Sequence, residues 1–131
     1  MDEQMKNLYD LLSGFYTLLW AQLDSLFDEH RWLRVPPDET QVARTPEVVL
    51  KELSALQQKG LPLPVSLAQM RSETESIKKL VVNWRDLQGQ LKQKPKNKDL
   101  LDQKNELHRK IQDMRALFED RALAFASLIA S

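Results

Sequence analysis

LLDQKNELHRKIQDMRALFEDRALAFASL, residues 100–128, is the stretch on which the fold turns. Leu100, Lys104, Leu107, Ile111, Met114, Phe118, Arg121, Phe125 and Leu128 follow one another in alternating steps of four and three, and seven of the nine are apolar. That spacing places them on one stripe of a helix, the a and d positions of about three to four heptads. A helix cannot cover its own stripe, so the pattern predicts a second surface along its whole length.

The segment just upstream supplies one. Leu67, Met70, Thr74, Ile77, Val81, Trp84, Gln88 and Leu91 alternate in the same way, with Leu80 and Leu87 widening the stripe. Two helix starts have a mechanism: Ser66, or Ser72 with Glu75 as a capping box. Lys92-Gln93-Lys94-Pro95-Lys96-Asn97-Lys98 then breaks the pattern, and Asn97 is placed to cap the helix that follows. Connections this short join antiparallel neighbours. Residues 65–131 therefore predict an antiparallel helical hairpin of coiled-coil type, with a lysine-rich turn at 92–98 and with Trp84 and Leu91 facing Leu100–Ile111. At 1.5 Å per residue it is a rod roughly 40–50 Å long.

Residues 1–33 predict another long helix, on Tyr9, Leu12, Tyr16, Leu19, Leu23, Leu26, His30 and Leu33. A second row, Leu8, Leu11, Phe15 and Leu18, makes the apolar arc between Leu8 and Trp20 broad, as in a helix packed against two or more others. Gly14 in that arc marks a close helix crossing. Pro36-Pro37 ends the helix, because each proline disfavours the helical conformation in the residue before it. Residues 34–64 form a proline-containing linker with a short helix over 46–59. Thr45 caps it, Pro46 takes the first helical position, Glu47 faces the positive dipole end and Gly60 stops it. Leu61-Pro62-Leu63-Pro64 is held extended and closes the end of the bundle.

The fold class is all-α: an elongated helical bundle or antiparallel coiled-coil hairpin with three long helices and one short one. Three helices of unequal length do not hide every apolar position. Leu80, Leu87, Leu117 and Ile129 lie off the hairpin seam. The arc at Leu8–Trp20 and the C-terminal Phe125–Ile129 exceed the cover available, and surfaces of that kind mark partners. Leu12, Phe15, Leu19 and Trp20 at one end, with Phe118, Phe125 and Leu128 at the other, are the expected partner-binding residues. Trp32, beside the proline linker, is a further candidate for docking.

Composition narrows the function. The 131 residues carry 19 bases and 19 acids, so the chain has no overall polyelectrolyte field. The distribution is uneven: residues 1–30 hold six acids and one base, residues 71–115 twelve bases and seven acids. With no cysteine, thiolate metal sites and disulfides are excluded. The absence of an Asn-x-Ser/Thr acceptor and of a signal peptide points to an intracellular protein of the nucleus, cytoplasm or cytoskeleton, not a secreted one. The least charged run, Leu11–Leu23, is shorter than the ~20 residues a bilayer requires, so no membrane span is expected.

Catalytic chemistry has little to work with. The two histidines, His30 and His108, lack the spacings that put metal ligands on one helix face. His30 reads as a cation at a helix C-terminus, and His108 as solvent-facing beside Arg109 and Lys110. Three isolated glycines build no phosphate cradle, and adjacent carboxylates such as Glu119 and Asp120 point in different directions on a helix. No enzyme, cofactor or metal is expected.

Lys92, Lys94, Lys96 and Lys98 are the best polar candidates, suited to an anionic surface such as nucleic acid, a microtubule or an acidic membrane. Ser72-Glu-Thr-Glu-Ser76 is a helix-capping run with the acidic context of a phosphorylation segment. TPEVVLKELSAL (45–56) followed by LPVSLAQMRSETESI (63–77) resembles the smaller coiled-coil subunit of the spindle-and-kinetochore-associated complex. NKDLLDQKNELHRKIQDMRALFED (97–120) resembles small helical subunits of the Mediator head. Each covers under half of the chain in common helix-forming residues, so no site is carried over. Both resemblances imply one class, small helical subunits held in larger assemblies. The expected function is a non-catalytic structural or adaptor subunit that completes a coiled coil or bundle with other helical subunits. The alternatives are an anionic-surface binder acting through the lysine turn and a self-associating homo-oligomer.

Overall fold

The computed structural model of the protein describes residues 2–29, 31–34 and 44–130. These form four helices and no strand: α1 (Glu3–Asp24), α2 (Pro46–Gln58), α3 (Leu67–Gln93) and α4 (Lys98–Ala130). They are 22, 13, 27 and 33 residues long.

Each helix starts at a side chain that satisfies a free backbone N–H of the first turn. Asp2 Oδ1 accepts from Met5 N at 2.8 Å, Thr45 Oγ1 from Val48 N at 3.3 Å, Ser66 Oγ from Gln69 N at 3.3 Å and Asn97 Oδ1 from Leu100 N at 3.1 Å. The third helix thus begins at Ser66 and not at the Ser72 capping box. Past the end of α2, Gly60 sits at φ 93°, a left-handed conformation that costs a side-chain-bearing residue about 1–2 kcal/mol.

The expected first helix over residues 1–33 requires correction. It stops at Asp24, and Leu26 and Phe27 close a turn by donating N–H groups to the Leu23 and Asp24 carbonyls. Periodic leucines continue past this point, but the Asp24 carboxylate is committed elsewhere. It accepts from Arg115 Nη1 at 2.8 Å and from the Arg31 N–H at 3.4 Å, so the chain turns back around it. Leu33 is buried in the core from this returning segment rather than from a helix. His30 lies outside the described residues.

Ring and ion pairs fix the packing directions. Tyr9 meets Phe125, Tyr16 meets Phe118 and Asp24 meets Arg115, so α1 runs antiparallel to α4. Glu73 pairs with Arg121 and Trp84 lies 5.9 Å from His108, so α3 is antiparallel to α4. Glu47 pairs with Lys78 at 2.8 Å, while Gln58 and Arg71 line one cleft, which makes α2 antiparallel to α3. The result is a bundle in which consecutive helices alternate in direction. α1 touches all three others, whereas α2 and α4 do not meet.

The core follows from that arrangement. Leu8, Leu12, Phe15, Leu19 and Leu23 of α1 pack with Val49 and Leu53 of α2, Met70 and Ile77 of α3, and Ile111 and Phe118 of α4. The broad arc of α1 is thus covered by three neighbours. Leu61, Leu63 and Val65, in and after the proline tetrapeptide, pack against the same core. Beyond Trp84 and His108, α3 and α4 continue as a two-helix stem, with Leu87 and Leu91 buried, out to the lysine turn.

Candidate functional site

The expected partner-binding residues separate into two groups. Leu12, Phe15, Leu19 and Phe118 have no exposed surface, and Trp20 has 4%. These five belong to the chain's own core and offer nothing to a partner in this fold, which corrects their reading as a docking surface. The physical reason is that α1 and α4 pack along each other, Tyr16 against Phe118, while α2 and α3 close the remaining sides of α1. Phe125 is half-buried, its ring parallel to Tyr16 at 6.1 Å. Leu128 remains 40% exposed.

Val48 of α2 and Val82 of α3 are exposed singly, whereas several small and apolar side chains are exposed together near the C-terminal end of α4. Leu117 is 45% exposed, and Ala116, Ala124 and Ser127 are exposed with it, Asp120 being the charge within that face. Leu117, Ala124 and Leu128 recur at steps of seven and four, so they line one flank of α4, about 100° around the helix from Phe118. Leu117 is legible from the sequence as an off-seam leucine. The small alanines beside it carry no signal of their own.

Beside that face the chain is pinned. Glu119, 5% exposed, receives Arg34 Nε at 3.2 Å and Arg31 Nη2 at 3.5 Å, and Arg34 also reaches Asp120. With Leu33 buried between them, the two arginines fix residues 31–34 against α4 and leave Trp32 75% exposed. A tryptophan held on a braced segment loses little side-chain freedom on binding, and tryptophan is the residue type most enriched among energetic anchors of interfaces. The arginines bracketing Trp32-Leu33 are the signal that sequence reasoning passed over.

Buried polar groups set the register beneath. Ser13 Oγ donates to the Ala122 carbonyl at 2.8 Å, a contact that requires α1 and α4 to approach closely where Gly14 is buried. Arg121 lies over the Tyr16 ring at 5.2 Å and pairs with Glu73. Burial, reinforced by the nearby Glu73 carboxylate, pushes the Tyr16 phenol from 10.0 up to about 12. Asp24 and Arg115, each about nine-tenths buried, lock the end of α1 to α4, and Arg115 also covers the Phe27 ring at 4.8 Å.

His108 is not the solvent-facing residue expected. Its ring lies 4.4 Å from Phe27 and 5.9 Å from Trp84, because the turn after α1 folds over the α3–α4 pair there. Trp84 Nε1 donates to the Leu26 carbonyl at 3.1 Å. A cleft of about 490 Å³ opens beside this cluster, lined by Lys104, His108, Gln112 and Arg115 of α4 with Asp28 and Glu29 opposite. Charges of both signs line it together. Among the described residues no group of three His, Asp or Glu side chains is placed to hold a metal ion. No described helix is long and apolar enough to cross a membrane. Lys92, Lys94, Lys96 and Lys98 are exposed at the far tip of the stem.

Compared with models of protein families, with curated proteins and with solved structures, the chain matches none.

Proposed function

We propose that the protein is a non-catalytic structural or adaptor subunit, joined to a helical partner chain along the outer face of α4. The observation that carries this reading is the stripe Leu117, Ala124 and Leu128, apolar, exposed and helically spaced, with Trp32 held beside α4. A partner helix laid on that stripe would extend the heptad packing that α4 begins at the adjoining Phe118 seam, and α3 with α4 would act as an elongated antiparallel coiled-coil hairpin. The small alanines allow close approach, and Trp32 supplies the anchor at the margin. The lack of cysteine suits an intracellular assembly.

The test is a two-site surface variant, Leu117→Ser with Leu128→Ser. Both side chains are substantially exposed, so folding stability should change by no more than about 0.5 kcal/mol at each position. Tagged wild-type protein, purified from its native host, should carry stoichiometric helical partners that the variant loses. Light scattering separates the remaining case: a wild-type oligomer that the variant turns into a monomer assigns the same face to self-association. Equal recovery of the same partners by both forms would remove the reading.

A further inference from the structure

The geometry points to a second surface, independent of the α4 face: the lysine tip of the α3–α4 stem contacts the phosphate backbone of a nucleic-acid duplex without reading its sequence. Lys92, Lys94, Lys96 and Lys98 lie within seven residues that contain no acid, and all four are exposed. None of them makes an ion pair with a described carboxylate; Asp99 and Asp102, the nearest acids in sequence, lie on the first turns of α4. The chain carries equal bases and acids, so outside the tip 15 bases face 19 acids. The molecule is a dipole with its positive pole on the stem.

Distance separates the pole from the bundle. From Trp84, the last α3 residue packed against the turn after α1, to Gln93 is roughly 14 Å of helix. Screening at physiological salt falls off over about 8 Å, so the acidic body is largely hidden from whatever the tip touches.

The tip also has a defined backbone turn. The Asn97 N–H donates to the Lys94 carbonyl at 3.2 Å, closing a turn with Pro95 at its second position, and Asn97 Oδ1 caps α4 at the same time. All four residues are lysine, a point charge that binds phosphate, and a duplex presents about one phosphate per 1.7 Å of its axis, a denser row of charge than an acidic peptide offers. Residues 85–107 contain no aromatic side chain, so bases have nothing to stack on and single strands hold no advantage. Residues 92–98 contain no apolar side chain other than Pro95 to enter lipid, which argues against a membrane.

Fluorescence anisotropy of the full chain with a labelled random-sequence DNA duplex tests this. Four phosphate contacts predict a log–log salt slope of about −3.6, that is, a loss of affinity of about 150-fold between about 50 and 200 mM salt. A duplex of permuted sequence should bind equally. Changing all four lysines to glutamine should flatten the slope and abolish binding at low salt, with helical circular dichroism unchanged, whereas the four-arginine variant should retain both. No binding at low salt, an unchanged slope in the glutamine variant, or tighter binding to phosphatidylserine vesicles or to polyglutamate than to the duplex would overturn the proposal. Because the tip lies apart from Leu117 and Leu128, the glutamine variant should still recover the helical partner, so the two readings stand or fall separately.

Discussion

Tyr16 shows how one buried polar side chain reports on the packing around it. Its phenol is held protonated by burial first and by the Glu73 carboxylate second, with Arg121 opposing the shift. An unfolded tyrosine loses its proton near 10.0, the folded one near 12. Between those values the unfolded state binds fewer protons, so unfolding becomes easier as pH rises; below 10 the contribution is fully present. Urea titrations at a series of alkaline pH values should show wild-type stability declining across this window faster than that of Tyr16→Phe. The comparison cancels the titration of the lysines, and parallel curves would mean that Tyr16 is wetter than its burial indicates. The two arginines of the 31–34 segment illustrate the opposite situation, with one end of each pair in water and the other, Glu119, buried. A sequence pattern records neither kind of pairing, because the partners are separated by 48 to 91 positions in the hydrogen bonds that hold them.

The helices divide by how local their signals are. The starts of α2, α3 and α4 were legible because a cap is written within four residues: Thr45, Ser66 and Asn97 each satisfy an amide three positions on. The a/d stripe of α4 was legible because periodicity is also local. The end of α1 was not, since Leu26, His30 and Leu33 continue the spacing while the turn at Asp24 depends on Arg115 far along the chain. The burial of Phe15 and Trp20 was missed for a related reason: covering them depends on how the three other helices are placed around α1, which no spacing rule supplies. Two glycines provide a paired check on helix ends and interiors. Gly89 lies inside α3 with open space where a Cβ would project, so Gly89→Ala should stabilise the protein by about 0.5–1 kcal/mol. Gly60 also has open space, but its φ of 93° makes Gly60→Ala destabilising by about 1–2 kcal/mol. Denaturant midpoints of the two variants should therefore move in opposite directions.

The bundle and the stem differ in what holds them. Around α1 each helix is covered from two or three sides, whereas past Trp84 and His108 only Leu87 and Leu91 of α3 are buried, against one helix. Local opening is easiest where few apolar contacts close over the backbone. Hydrogen exchange should therefore be faster at the amides of residues 88–107 than at those of 8–23 and 111–122, with the difference surviving removal of the tip charges. Uniform protection along α4 would show that the stem is held by more than the seam.

α1 and α4 are each other's principal mates, yet they stand at opposite ends of the chain; Ser13 and Ala122 are 109 positions apart. On a ribosome adding about 5–20 residues per second, the first helix emerges several seconds before the surface that covers it. During that interval Leu8–Trp20 presents its widest greasy side to solvent with at most α2 and α3 to shelter it. How long the nascent first helix stays uncovered is thus set by a packing choice made between the first helix and the last.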